Sequence, residues 1–322
     1  RSSFVMRVLV TGGTGYIGST AVEILLTQGF EISILDDCSM GHADTVPAGV
    51  RFVNGSLLNV SEVAEALTGC DAVMHFAGKS LVGESVEKPD LYHSVNVNGT
   101  RILLDEMRKQ SITKIVFSSS AATYGEPKSV PILETSETIP TNPYGATKLA
   151  IDHMITAEAA THGISAASLR YFNVAGALKA KRGWLAERHN PETHLIPNVL
   201  RSTTDNPVQI FGTDWPTHDG TCIRDYVHVI DLIDAHLKAL NSLGKPGHEI
   251  YNLGSGSGYS VREVVAAASS ATGQQIPFID SPRRAGDPAV LIADISKAKT
   301  RLGWEPTRDM NTMVSDTLKS MA

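Results

Sequence analysis

Three side chains near the middle of the chain have the types and spacing needed for acid–base chemistry on an alcohol. Tyr144 and Lys148 are four residues apart, which places both side chains on one face of a helix. A free tyrosine, with a pKa of about 10, is a poor base near neutral pH. A neighbouring lysine ammonium should lower that pKa by stabilising the phenolate. Ser120, at the end of an apolar run, could bind the same substrate oxygen and relay the proton, so Ser120, Tyr144 and Lys148 are the predicted catalytic residues.

A glycine motif near the start of the chain could bind the cofactor that such a reaction needs. Gly12, Gly15 and Gly18 follow the apolar residues 8–10 and open a helix-like pattern. Glycine permits a tight turn and lets a pyrophosphate approach the backbone, where the helix N-terminus offers N–H groups and the positive end of its dipole. The motif predicts a dinucleotide-binding loop, so that a nicotinamide could accept a hydride while the tyrosine accepts the proton.

Two carboxylates indicate which dinucleotide is bound. Asp36 and Asp37 follow the second predicted strand, where an acidic residue can bind the hydroxyls of the adenosine ribose. A 2′-phosphate would be repelled by both carboxylates. We therefore expect NAD rather than NADP.

Strand and helix patterns alternate through the first half of the chain. They predict strands at residues 7–11, 31–36, 51–53, 71–76, 114–119 and 165–171, and helices at 16–28, 89–110 and 143–162. Such alternation produces parallel strands joined by right-handed crossovers. The predicted fold class is α/β, a Rossmann-like doubly wound parallel sheet with a smaller C-terminal α/β substrate lobe.

The regular alternation of strand and helix patterns ends after residue 172. Shorter patterns follow at residues 208–211, 225–229, 249–253, 261–272 and 296–302. They predict two domains, residues 6–172 for the dinucleotide and 173–322 for the substrate, partly interleaved with each other.

The composition restricts the kinds of partner that the protein could bind and the compartment in which we expect it. The 322 residues carry a formal charge of −6, which argues against nucleic acid as the main partner. Three widely separated cysteines show no metal-ligand spacing and no disulfide framework, so we expect no metal site and a cytoplasmic location. No apolar run approaches the roughly 20 residues of a membrane helix, and residues 1–5, ahead of Met6, are too few for a signal peptide. No membrane partner is expected.

Several motifs resemble the extended short-chain dehydrogenase/reductase family, and within it the UDP-glucose (UDP-galactose) 4-epimerases. The resemblance extends over the chain from Met6 onward. The motifs that carry it are His75-Phe76-Ala77-Gly78, Asn142-Pro143-Tyr144-Gly145, Arg224-Asp225-Tyr226 and Arg283-Arg284-Ala285-Gly286-Asp287-Pro288. It implies reversible epimerisation at C4 of a UDP-hexose with tightly bound NAD.

The resemblance also implies the residues around each ligand. Those expected at NAD, with the glycines and carboxylates above, are Tyr16, Ile17, Ser56, Leu57, Phe76, Ala77, Gly78, Asn96, Ser118, Tyr144, Lys148 and Phe172. Ser56 stands where relatives usually have an aspartate near the adenine, so a weaker contact is expected there. Those expected at the UDP-sugar, with Ser120 and Tyr144, are Asn173, His194, Leu195, Gln209, Ile210, Phe211, Arg224, Arg284 and Asp287. Guanidinium groups such as those of Arg224 and Arg284 suit diphosphate oxygens.

A homodimer is the expected assembly. Relatives pair through two helices per subunit, which here correspond to residues 97–109 and the Tyr144 helix. The apolar side chains expected to form the seam are Leu103, Leu104, Met107, Ile151, Met154 and Ile155.

Other functions stay open at this point. A 4-epimerase of UDP-N-acetylglucosamine or of a UDP-pentose has nearly the same sequence pattern. A nucleotide-sugar 4,6-dehydratase usually has an acidic pair just after the serine, whereas this chain has Ala121-Ala122-Thr123. A non-catalytic NAD-sensing protein would not need the serine, tyrosine and lysine together.

Overall fold

The computed structural model describes residues 4–190 and 192–322. Residues 1–3, part of the short stretch before Met6, lie outside the described residues. The strands, in chain order, are β1 Arg7–Thr11, β2 Glu31–Asp36, β3 Arg51–Asn54, β4 Ala72–His75, β5 Lys114–Ser120, β6 Ser165–Tyr171, β7 Asn173–Ala175, β8 Leu178–Ala180, β9 Gly183–Leu185, β10 Val208–Phe211, β11 Ile223–Arg224, β12 Tyr226–His228, β13 Gly247–Leu253, β14 Tyr259–Ser260, β15 Phe278–Ser281 and β16 Val290–Leu291.

Helices cover much of the remaining chain. They are α1 Tyr16–Thr27, α2 Val60–Leu67, α3 Val82–Glu87, α4 Pro89–Tyr92, α5 Gly99–Lys109, α6 Pro143–His162, α7 Leu195–Leu200, α8 Val229–Ser242, α9 Val261–Thr272, α10 Ser296–Leu302 and α11 Met310–Ser320. A π-helical segment, His93–Asn98, joins α4 to α5, and a 3₁₀ turn, Ala121–Tyr124, follows β5. In the ranges that the structure describes, no helix is long and apolar enough to cross a membrane.

The chain forms two compact units, each built from three segments. The first unit contains the chain up to residue 126 together with residues 137–170 and 233–251. The second contains residues 127–136, 171–232 and 252–322. The ranges of the functional domains, 6–172 and 173–322, stay a prediction.

A seven-stranded sheet organises the first unit. Its strand order is β13-β6-β5-β4-β1-β2-β3, and β1 pairs in parallel with both β2 and β4. Val8, Leu9 and Val10 are fully buried, because helices cover both faces of such a sheet and its central strands are apolar throughout. The doubly wound α/β fold is confirmed. The order of the strands reverses at β1, and ligands bind at the carboxyl ends of the strands beside such a reversal.

The structure corrects two expectations about the helices of the first unit. The single helix predicted over residues 89–110 is divided into α4, the π-helical segment and α5. The predicted seam is wrong for five of its six side chains: Leu103, Leu104, Met107, Ile151 and Ile155 belong to the unit's own core, and Met154 packs partly against it. The apolar faces of α5 and α6 pack against the sheet. These five side chains therefore cannot face a second subunit.

A buried carboxylate joins several backbone segments of the second unit. Asp225, between β11 and β12, is fully buried. Its Oδ1 accepts hydrogen bonds from the N–H of Tyr226 (2.8 Å) and from the N–H and hydroxyl of Ser255 (both 2.6 Å). Its Oδ2 accepts from the N–H groups of Gly256 (3.2 Å) and Ala293 (3.0 Å). Both oxygens therefore act only as acceptors.

Replacing Asp225 with asparagine should destabilise the protein. One carboxylate oxygen becomes an NH₂ group that faces N–H donors, so we expect the free energy of unfolding to fall by about 2–4 kcal/mol. Urea unfolding followed by fluorescence and circular dichroism measures it. Asp280→Asn, at an exposed position of β15, is the matched control and should change stability by less than about 0.5 kcal/mol. Equal stability of the two variants would contradict this account of Asp225.

Candidate active site

The glycine loop lies at the carboxyl end of β1. Gly12 has a φ of +71°, and a Cβ there would lie 2.8 Å from the backbone nitrogen of Ala77. A Cβ on Gly18 would overlap the carbonyl oxygen of Gly12. These two glycines are therefore required by the close packing of β1, α1 and the segment after β4.

Helix α1 begins in a way that fits a phosphate. Gly15 is its N-cap, no described side chain caps the helix by a hydrogen bond, and its first turn contains no acidic residue. Tyr16 and Ile17 form the first turn. An anion placed here would meet the positive end of the helix dipole without a competing carboxylate. The loop thus fits the pyrophosphate of a dinucleotide.

Asp36 ties this loop to the end of β2. Its Oδ2 accepts hydrogen bonds from the N–H and hydroxyl of Thr14 (3.0 and 2.6 Å), and its Oδ1 accepts from the N–H of Cys38 (2.9 Å). Asp37 is exposed and accepts a hydrogen bond from the N–H of Ser39 (2.9 Å). The two carboxylates are thus adjacent in the chain, but Asp36 also holds the glycine loop in place.

Ser56 and Leu57 follow β3 and have structural contacts of their own. The N–H of Ser56 donates to Glu62 (2.8 Å), and its hydroxyl accepts from the N–H of Leu58 (3.1 Å). Leu57 is buried and lies against Gly99. Direct contact of either residue with a cofactor stays a prediction.

The segment after β4 is held by the buried side chain of Asn96. The Asn96 carbonyl oxygen accepts from the N–H of Lys79 (2.7 Å), and its NH₂ group donates to the Lys79 carbonyl (3.0 Å) and to the Thr147 hydroxyl (3.2 Å). Gly78, with a φ of +140°, leaves room for this amide. Phe76 is half-buried, with its ring 4.9 Å from that of His236. Asn96 therefore connects the segment bordering the glycine loop with helix α6.

Helix α6 presents the predicted catalytic pair. Asn142 caps it by accepting from the N–H of Gly145 (2.8 Å), and the N–H of Tyr144 donates to the hydroxyl of buried Ser85 (3.1 Å). A Cβ on Gly145 would lie 2.5 Å from the carbonyl oxygen of Ala122. Because Gly145 lets the helix approach this closely, Tyr144 reaches a hydrogen bond with Ser120.

Lys148 lies behind the tyrosine in a buried position. Its Nζ donates to the carbonyl of Ser118 (2.8 Å) and is 5.8 Å from the centre of the Tyr144 ring. Burial lowers the pKa of Lys148 to about 8, and nearby Asp152 opposes that shift. The structure therefore brings Ser118, Ser120, Tyr144 and Lys148 together, as the sequence predicts.

The sequence predicts a lowered pKa for Tyr144, and this prediction is wrong for the protein chain by itself. Burial raises the pKa of Tyr144, and the hydrogen bond from Ser120 only partly offsets this rise. The ammonium of Lys148 points to the Ser118 carbonyl rather than to the phenol. An activated phenolate therefore needs a further positive charge at the site.

Asp152 was not found by sequence reasoning, although it lies four residues after Lys148. It is fully buried, accepts from the hydroxyl of Ser119 (2.9 Å) and pairs with the guanidinium of Arg170 (3.0 Å). Arg170 in turn lies over the ring of Tyr124, 4.9 Å from its centre. The signal available in the sequence was the helical spacing of a charged residue one turn beyond the lysine.

The second unit holds most of the residues predicted to contact a UDP-sugar. Arg284 lies over the ring of Phe211, 4.6 Å from its centre, and donates to Asp287 (2.8 Å). Buried Cys222 has a raised pKa, caused first by burial, and it also experiences the charges of Arg224, Asp287 and Arg284. The structure therefore pairs Arg284 with Asp287 and with the ring of Phe211.

Other predicted substrate residues have different surroundings. Asn173 donates to the carbonyl of Asp225 (3.1 Å), while Gln209 is exposed on β10 and Ile210 is buried. Phe172, which was predicted at NAD and not at the substrate, donates its N–H to the Leu253 carbonyl (3.1 Å). Sequence reasoning gave no role to Arg283, which lies 4.1 Å from the centre of the Trp215 ring.

His194 and Leu195 mark the start of α7. The Nδ1 atom of His194, the N-cap residue, lies 2.7 Å from Glu187 Oε1 and 3.0 Å from Glu192 Oε1. The hydrogen bond to Glu187 raises the pKa of His194 to about 9. The pKa of Glu187 is held at about 2 by hydrogen bonds to His189 and His194, against the opposing effect of burial. Leu195 packs partly against the core of this unit.

The lowered pKa of Lys148 predicts a pH dependence of stability. Between pH 8 and the value of about 10.5 for an unfolded lysine, the unfolded state binds more protons, so the free energy of unfolding should rise with pH by on the order of 1–3 kcal/mol. Lys148→Met should lose this rise, whereas Lys319→Met, at an exposed position, should keep it. Urea unfolding at pH 7.5, 8.5 and 9.5 provides the measurement. The same slope in both variants would show that the pKa of Lys148 is not lowered in the folded protein.

Comparison with known proteins places this geometry in a family. A model of the NAD dependent epimerase/dehydratase family matches residues 8–254. The chain is 51% identical to a UDP-glucose 4-epimerase of Corynebacterium glutamicum over 314 residues, which cover 97% of this chain and 94% of the relative.

Solved structures give the same result. The UDP-glucose 4-epimerase of Brucella ovis in complex with NAD superimposes with a TM-score of 0.92 at 40% identity, covering 98% of each chain. The enzyme of Bifidobacterium longum in complex with NAD⁺ and UDP superimposes with a TM-score of 0.88 at 36% identity, also covering 98% of each chain. The protein belongs to the NAD dependent epimerase/dehydratase family.

Proposed function

We propose that this protein interconverts UDP-glucose and UDP-galactose by epimerisation at C4, through a 4-keto intermediate and with tightly bound NAD. The observation that carries the proposal is the hydrogen bond between Tyr144 and Ser120 with Lys148 behind it. Asn96 links this group to the segment beside the glycine loop. The relatives named UDP-glucose 4-epimerase, matched along nearly the full chain, support the choice of substrate.

Each residue of the acid–base group has a defined task in this reaction. NAD, when bound, supplies the hydride acceptor and a positively charged ring, which is the further charge that the raised pKa of Tyr144 requires. Tyr144 then removes the proton of the sugar 4-hydroxyl, and Ser120 hydrogen-bonds the same oxygen. Lys148 contributes a positive charge held by the Ser118 carbonyl. Return of the proton from Tyr144 to O4, together with return of the hydride to the opposite face of C4, gives the other epimer and restores the starting state.

The residues assigned to the ligands follow from the same proposal. The glycine loop, with Tyr16 and Ile17, binds the pyrophosphate of NAD, and Asp36 selects against a 2′-phosphate. Arg224 and Arg284 bind the diphosphate of the UDP-sugar, because guanidinium groups pair with phosphate oxygens in a bidentate geometry. Phe211 keeps Arg284 in place through the ring contact. A cytoplasmic location is proposed from the three free cysteines.

Replacing Tyr144 with phenylalanine should lower the turnover of UDP-galactose by about 10²–10⁴-fold, because the general base is lost. Formation of UDP-glucose is followed with a UDP-glucose dehydrogenase, and UDP-N-acetylglucosamine and a UDP-pentose are tested alongside. Bound NAD, measured after denaturation, should be unchanged. Tyr259→Phe, which removes a hydroxyl bonded to the backbone of Met310, is the matched control. Wild-type turnover in Tyr144→Phe would remove this residue from the mechanism, and a preference for another UDP-sugar would change the proposed substrate.

We also propose a homodimer formed by the outward faces of α5 and α6. Glu158 accepts from Arg101 and Arg108 (both 2.8 Å) and so binds the two helices to each other. Ile102, Ala150 and Met154 are only partly buried in a single chain, which leaves apolar surface beside this ionic group.

Light scattering at micromolar concentration should give twice the chain mass for the wild type. Ala150→Arg should give the monomer mass, because it places a charge in the proposed contact. The control Ala160→Arg, at an exposed position of α6, should remain dimeric. A monomeric wild type, or a dimeric Ala150→Arg variant, would contradict this interface.

A further inference from the structure

Four side chains converge in the segment that precedes helix α7. They are Glu187, His189, Glu192 and His194, and one ligand atom from each lies within 4.8 Å of the other three. The spacing of the cysteines predicted no metal site, and these histidines and glutamates did not enter that prediction. The signal that could have found this cluster is the alternation of glutamate and histidine at positions 187, 189, 192 and 194.

The imidazole nitrogens and carboxylate oxygens of the cluster lie close to one another. His189 Nδ1 lies 2.8 Å from Glu187 Oε1, and His194 Nδ1 lies 2.7 Å from the same oxygen. His194 Nδ1 is also 3.0 Å from Glu192 Oε1. A single ring nitrogen carries at most one hydrogen, yet two carboxylate oxygens approach this one. Two carboxylate oxygens therefore meet at one imidazole nitrogen, and a metal ion that replaced the shared hydrogen would bind all three atoms.

A second observation is independent of these distances. The Glu192 side chain is only 5% exposed, and its Oε2 atom has no hydrogen-bond partner among the described residues. The ion-pair neighbour of Oε2 is Arg201 Nη1, at 4.0 Å. A buried carboxylate oxygen without a hydrogen bond is costly, and a bound cation would remove that cost.

We propose that Glu187, His189, Glu192 and His194 form a structural site for a divalent transition metal ion of the Zn²⁺ class. Two imidazole nitrogens and two carboxylate oxygens form a four-ligand nitrogen–oxygen set, which suits Zn²⁺. Around a tetrahedral ion with ligand bonds of about 2.0–2.2 Å, ligand atoms lie roughly 3.3–3.5 Å apart. Around such an ion the contacts of 2.7–3.0 Å would lengthen by about 0.3–0.8 Å, within a cluster whose ligand atoms all lie within 4.8 Å of one another. Two carboxylates and two neutral imidazoles would balance its charge.

The site lies where an ion would affect the neighbouring helix. His194 is the N-cap of α7, and Leu195 is the first residue of that helix. Binding of the metal would hold the side chains of Glu187 and His189 against the start of α7. This inference goes beyond the proposed function and does not depend on the identity of the sugar.

Direct metal binding to the full chain tests the proposal. The protein is treated with a chelator, desalted, and titrated with Zn²⁺ against a chromophoric competitor. We expect one tightly bound Zn²⁺ per chain, a higher melting temperature with Zn²⁺, and a visible Co²⁺ spectrum typical of tetrahedral coordination. His189→Ala and Glu187→Gln should each weaken binding at least about 100-fold.

Two control variants make the result specific. His162→Ala, at the exposed end of α6, should bind Zn²⁺ like the wild type. His218→Ala, in the more exposed group of His218, Asp219 and Glu263, should do so as well. If His189→Ala does not fold, Glu187→Gln keeps the side-chain size and carries the test. The proposal would be overturned if the wild type bound no tight equivalent of Zn²⁺. It would also be overturned if Glu187→Gln bound Zn²⁺ with the affinity of the wild type.

Discussion

The close approach of helix α6 to the turn after β5 is the contact on which the acid–base group depends. The space beside the Ala122 carbonyl admits only a glycine at position 145. Two hydrogen bonds, donated by the N–H of Gly145 to Asn142 and by the N–H of Tyr144 to Ser85, fix the first turn of the helix at this short distance. Without that approach Tyr144 could not reach Ser120. Glycine therefore follows the catalytic tyrosine for a packing reason, since the residue that carries out the chemistry is positioned by its neighbour.

Buried charge is the second feature that organises the protein. In the first unit a continuous group of polar side chains links Ser119, Asp152, Arg170 and Tyr124, with Lys148 one helical turn away. In the second unit Asp225 satisfies both of its oxygens through backbone and hydroxyl donors. The two carboxylates differ in that Asp152 Oδ1 has no hydrogen-bond partner among the described residues. The first unit thus holds an acidic oxygen near its reactive lysine, where it favours the charged ammonium.

Periodicity predicted the elements whose burial is regular. The central strands β1 and β4 are buried on both faces, and the bounds of α6 follow from its asparagine cap and the left-handed Gly163 at its end. Helix α8 was missed although its partly exposed residues 230, 234, 237, 238 and 241 recur at helical spacing, a pattern that was available in the sequence. The seam was misassigned because an apolar stripe does not reveal whether a sheet or another subunit covers it. The direction of the Tyr144 shift depended on where the Lys148 ammonium points, which only tertiary structure determines.

The position of β13 in the sheet of the first unit has a consequence for biosynthesis. This strand lies next to β6, although nearly eighty residues separate the two in the chain. While the ribosome is still adding those residues, β6 is the open edge of the sheet, with unpaired N–H and C=O groups that can pair with another chain. A fragment that ended near residue 172 would keep that edge permanently. The growing polypeptide therefore presents β6 as a sheet edge at a stage when its glycine loop and catalytic helix are already complete, and β13 takes over that edge afterwards.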